Sequence, residues 1–73
     1  MAYKILGGKA DGLVRATLYA AICAHEQAEG TTQTFTSDTR QAGDSKRIFL
    51  YPTDEALMAD TAFDGVCVEF DTD

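Results

Sequence analysis

Three small groups of residues have types and spacings that could do chemistry. Gly7-Gly8-Lys9, between an apolar stretch and an alanine-rich one, has the makeup of a turn that cradles a phosphate through backbone N–H groups. It lacks the P-loop spacing of Gly, four residues, then Gly-Lys-Ser/Thr, and Asp11 sets a negative charge where the anion would lie. A flexible strand-to-helix turn is the expected role. His25 is the sole histidine, with Glu26 and Glu29 close behind it. A histidine beside carboxylates can move protons, but no nucleophile stands at a spacing that completes a catalytic set. His25 is therefore expected to be a half-buried residue at the end of an apolar stripe. Cys23 precedes it by two positions, which on a helix point about 200° apart, so the two cannot easily share a metal. With Cys67 as the only other thiol, there is neither a disulfide framework nor a tetrahedral zinc set. The expectation is no enzyme, no cofactor and no metal, with reduced structural cysteines.

These residues need elements to hold them. The stretch from Asp11 to Gly30 reads as one long helix, with Asp11 as N-cap and Gly30 as the left-handed terminator. Val14, Leu18, Ala21, Ile22 and His25 repeat at i, i+4, i+7, i+8 and i+11, an apolar stripe that must be covered. Nineteen residues would span about 28 Å, longer than a five- or six-residue strand, so the last turns should project past the sheet. Before the helix, residues 3–6 form a short strand. After it, the β-branched residues 31–37 read as a second strand and residues 38–45 as a polar loop. Lys46 to Tyr51 is the clearest strand, closed by Pro52. A short helix over 53–63 follows, capped by Thr53 with Asp54 and Glu55 in its first turn, and residues 66–70 alternate as a last strand.

The order β-α-β-β-α-β, over a single domain of residues 1–73, resembles the ferredoxin-like layout: an α+β fold with an antiparallel sheet and two helices on one face. The resemblance implies that residues 3–6 and 47–51 are the central strands. Alternation then assigns Tyr3, Ile5, Phe35, Ile48, Leu50, Val66, Val68 and Phe70 to the core, and Lys4, Leu6, Arg47, Phe49, Tyr51, Cys67, Glu69 and Asp71 to the open face. Leu6, Phe49 and Tyr51 there are either scattered and covered by the 38–45 loop or a contact patch for a partner or a second copy.

Charge is the most distinctive property. The chain carries six basic and twelve acidic residues, net −6. Up to Arg47 there are six basic and five acidic residues; after it there are seven acidic and no basic ones. Asp54 and Glu55 complement a helix N-terminus, but Glu26 and Glu29, and likewise Asp60 and Asp64, sit late in helices where the dipole disfavours them. Glu69, Asp71 and Asp73 would lie on one face of an extended segment about 6.8 Å apart. Acidic residues placed against local rules are where a function is worth seeking. Net acidity without a basic stripe or an aromatic RNA-binding strand motif argues against direct nucleic-acid binding.

The expected function is a non-enzymatic, acidic protein–protein interaction module for a partner with a basic surface. Glu26, Glu29, Asp60, Asp64, Glu69 and Asp71 supply its charge, and Phe49 and Tyr51 its apolar contacts. In size and charge the chain resembles the small acidic proteins of phages and mobile elements, anti-CRISPR proteins among them. That implies an inhibitor that occupies a nucleic-acid-binding surface by charge mimicry. The alternatives are an assembly subunit dimerising through the open sheet face, or a small anion- or ligand-binding domain using Gly7-Gly8-Lys9. No apolar run approaches the ~20 residues of a membrane span and no signal pattern opens the chain, so a cytoplasmic location without membrane contact is expected.

Overall fold

Strands form here where apolar residues alternate or run together. The computed structural model, which describes residues 2–60 and 66–71, shows how they pair. The elements in chain order are β1 (Tyr3–Leu6), β2 (Val14–Arg15), α1 (Leu18–Glu29), β3 (Phe35–Thr36), β4 (Arg40–Ala42), β5 (Ser45–Tyr51), α2 (Asp54–Ala59) and β6 (Cys67–Asp71). The fold is α+β: a six-stranded antiparallel sheet with two helices.

The strand order is β2-β1-β6-β5, with β3 and β4 sharing the outer edge of β5. The ferredoxin-like order is not observed, because β6 lies between β1 and β5 where that layout puts them side by side. The register gives a physical reason. Ile5 faces Val68, which faces Ile48, so the apolar centre runs straight across three strands. One position along, Glu69 separates Lys4 from Arg47. Direct pairing of the outer two in that register would set like charges together.

One sheet face carries the core. Ile5, Val68, Leu50 and Ala21 are buried, joined by Ala10 from the β1–β2 loop, with Tyr3, Leu18, Ile22 and Val66 packed around them. Of the core residues expected from alternation, Tyr3, Ile5, Leu50, Val66 and Val68 are found there; Ile48 is buried outside that cluster, Phe70 is half-buried against the Tyr3 ring, and Phe35 pairs with Tyr51. The contacts do not establish that both helices lie on one face. α1 covers the Ile5–Val68–Leu50 face, whereas Tyr51, pointing the opposite way, meets Asp60 just beyond α2.

The long helix is shorter than its sequence pattern. Residues 11–17 are not helical, and Thr17 is the N-cap, its hydroxyl accepting from the Ala20 N–H. The Asp11 carboxylate instead accepts from the Gly7 N–H at 2.7 Å. The Ile5 N–H donates to the Leu13 carbonyl, and the Gly12 N–H donates back to Ile5. The segment thus supplies β1 with its second partner, and Gly12, at φ 90°, makes the turn possible. Gly30 ends α1 as expected, at φ 77°. At twelve residues α1 spans about 18 Å, so its last turns do not outrun the sheet.

The 38–45 segment, expected to be a loop, contains β4, which forms a hairpin with β5 through Gly43 and Asp44. Thr53 caps α2 as expected, but that helix closes at Asp60, which takes the left-handed conformation at φ 50°. Its expected continuation to residue 63, and Asp64, lie outside the described residues, as does Asp73. Among the described residues no helix is long and apolar enough to cross a membrane.

Candidate functional site

The glycine turn that has the makeup of a phosphate cradle already holds two carboxylates of its own chain. Besides the Asp11 contact, the Lys9 N–H donates to Glu29 Oε2 at 2.8 Å, tying the turn to the last residue of α1. Gly8 sits at φ 73°, and a Cβ there would come 2.8 Å from the same Glu29 oxygen. Gly8→Ala should therefore strain the backbone and push Glu29 aside, lowering stability by about 1–2 kcal/mol. A urea midpoint within error of wild type would show that the turn tolerates a side chain.

Beside this link lies a groove of about 340 Å³. Its walls are His25 and Glu29 from α1, residues Thr31, Gln33 and Thr34 after Gly30, Leu50 and Tyr51 at the end of β5, Pro52, and Val66. His25 and Glu29 are four apart on the helix and so share a face. The helix is stopped by Gly30 and Thr31, whose N–H groups both donate to the Glu26 carbonyl. Beyond the stop, the Thr31 hydroxyl holds Gln33 in a tight turn through both its N–H and its carbonyl. The opposite wall is fixed by the Leu50 N–H donating to the Val66 carbonyl at 3.0 Å.

The groove has an unusual feature. Nδ1 of His25 and Oγ1 of Thr34 are buried without a hydrogen-bond partner, and they are the only such side-chain atoms among the described residues. Each costs on the order of 1–3 kcal/mol relative to a satisfied group, so folded proteins carry few of them. Both belong to the lining of the same groove. Of the described lining residues only Glu29 is a carboxylate, and none is Lys or Arg.

The acidic residues singled out in the sequence are scattered by the fold. Asp60 Oδ1 accepts from the Tyr51 hydroxyl at 2.6 Å and from Arg40 at 3.0 Å. Its carboxyl is held below the usual range, first by the Tyr51 bond and then by Arg40. Glu69 Oε2 accepts from Arg47 Nε and Nη2 and from the Ser45 hydroxyl. It is therefore part of a cross-strand pair rather than a free row with Asp71, which is exposed at the end of β6. The sequence halves of opposite charge are interleaved in space by Arg40–Asp60 and Arg47–Glu69.

Of the two aromatic candidates, Tyr51 is buried at 1% exposure and Phe49 lies half-buried beneath the Arg40 guanidinium, 5.1 Å from its ring centre. Cys67, facing Phe49 in the register, is buried too, and burial raises its thiol pKa. The described residues thus show no open Phe49–Tyr51 patch. Glu26 and Glu29 do share the groove end of α1, and Asp54 and Glu55 follow Pro52 in the first turn of α2.

Sequence reasoning reached His25 and Glu29 but passed over Thr31, Gln33 and Thr34. Their β-branched run reads as strand, and only the short β3 beyond them is one. The usable signal was a polar run directly after a helix-stopping glycine, where side chains are free to turn inward. No family model matches the chain, no curated protein matches it, and no solved structure matches it.

Proposed function

We propose that this protein is a non-enzymatic binding module whose acidic surface receives a partner protein with a basic one. The observation that carries this reading is the placement of charge the fold does not use. Asp11, Glu29, Asp60 and Glu69 are engaged within the chain. Glu26, Asp38, Asp44, Asp54, Glu55 and Asp71 make no ion pair among the described residues. α1 ends with two glutamates and no basic residue in its last turn, although the helix dipole favours cations there. A basic partner would reverse that unfavourable term on binding and be steered toward the site. The concrete form proposed is an inhibitor that covers a nucleic-acid-binding surface by presenting negative charge in place of phosphates.

The test is binding to a basic nucleic-acid-handling protein at about 50 and about 300 mM salt. Affinity should fall steeply with salt and drop further for a Glu26→Lys, Glu55→Lys double variant that keeps its thermal stability. Salt-independent binding, or none, would remove this reading.

A further inference from the structure

Resting on the proposal of a basic partner, we infer that the groove between α1 and the end of β5 takes a single arginine side chain of that partner. The lining combines acceptors for a cation with apolar wall for hydrocarbon. Glu29, His25, Thr31, Gln33 and Thr34 supply acceptors, while Leu50, Pro52 and Val66 supply apolar wall. An arginine matches this division, with an apolar stem and a planar head of five donors. The absence of Lys and Arg among the described lining residues disfavours an anion. Within this lining Nδ1 of His25 and Oγ1 of Thr34 are buried without hydrogen-bond partners. In the proposed complex both side chains turn to the occupant and accept from it. Occupancy then satisfies two groups that the free protein leaves unsatisfied, a bias toward the bound state built into the fold.

The experiment follows amide NMR shifts of the full chain during titration with Nα-acetyl-arginine amide, and with the citrulline amide as its uncharged isostere. Saturable shifts should centre on His25, Glu29, Gln33 and Thr34 with a dissociation constant on the order of 1 mM. Citrulline should bind about tenfold more weakly. Equal binding of the two, or no saturation, would overturn the inference.

Thr34→Val is the sharper variant because it keeps the side-chain shape and deletes only the unpartnered hydroxyl. It should raise the melting temperature and lower arginine-amide affinity about fivefold. Lower stability or unchanged affinity would make Thr34 merely structural and sink the proposal. A hexa-arginine peptide separates this inference from the reading beneath it. If wild type binds the peptide and Thr34→Val binds it equally well, the groove assignment falls and the acidic-surface reading stands. If the single amide saturates the groove while the peptide does not bind, the groove stands and the acidic-surface reading falls.

Discussion

Tyr51→Ala should cost about 3–5 kcal/mol of unfolding free energy, the range for deleting a buried aromatic ring. A chain of 73 residues has on the order of 4–10 kcal/mol in total, so the variant should be largely unfolded at 37 °C by circular dichroism. Tyr51 is placed to have this effect because its ring is buried at the end of β5 while its hydroxyl donates to Asp60 just past α2. With the Arg40–Asp60 pair, it is one of the contacts that hold the end of the short second helix to the sheet. Tyr51→Phe separates the two roles: the ring stays and the tie is lost, so most of the stability should remain while the pH profile changes. The Asp60 carboxyl is lowered from its ordinary 3.8, so it contributes stability above that value which is lost as pH falls through the lower folded one. The Tyr51 hydroxyl is raised from its ordinary 10.0, by burial first and then by Asp60. Its contribution is complete below that value and lost as pH rises through the higher folded one. Wild type should therefore lose stability below about pH 4 and above about pH 10, and Tyr51→Phe should shrink both losses while leaving the alkaline part due to the buried Cys67 thiol. An unaltered profile in Tyr51→Phe would mean the hydroxyl bond contributes nothing in solution.

Ile5→Ala should cost about 2–4 kcal/mol, read from the shift in urea midpoint at constant slope. Ile5 has no exposed surface and faces Val68 across the sheet, with Ala10 and Ala21 in the same cluster. Two of those neighbours are alanines, whose side chains are too short to move into the space left behind. The site should therefore collapse poorly and sit toward the upper half of the range. A loss under ~1 kcal/mol would show that the core repacks around the gap.

The strands that proved right in sequence are those where local pattern and tertiary demand coincide. Residues 3–6, 46–51 and 66–70 each show apolar residues at positions that the sheet buries. The first half of the long helix failed because two physical signals compete there. Val14 continues the apolar stripe of α1 perfectly well, yet in the structure it is 49% exposed on β2. What decided the matter was the unpaired edge of β1, whose backbone groups were met by Gly12 and Leu13, and no periodicity in the segment itself reports that need. The helix cap moved with it, from Asp11 to Thr17, and a projecting helix end disappeared.

The strand order was misread for a related reason. Apolar continuity marked residues 3–6 and 46–51 as central, but centrality belongs to β6, whose Glu69 can sit between two basic strands. Charge complementarity between neighbours carried that information, and the alternation of apolar residues did not. The candidate groove was half legible. His25 and Glu29 share a helix face in any reading of the sequence, but Thr34, Pro52 and Val66 reach them only through strand pairing distant in the chain.

The way β5 is flanked has a bearing on how copies of this protein treat one another. Between β3 and β4 the Ser37 N–H donates to the Phe49 carbonyl, but the Phe49 N–H turns to the Ser37 hydroxyl instead of a main-chain carbonyl. That one exchange splits the outer strand into pieces of two and three residues, and the other rim of the sheet is only the two-residue β2. Long, regular rims are templates on which further chains add strand by strand, ending in aggregates. Neither rim here offers such a template, and a serine hydroxyl is part of the reason this sheet stops growing at its own border.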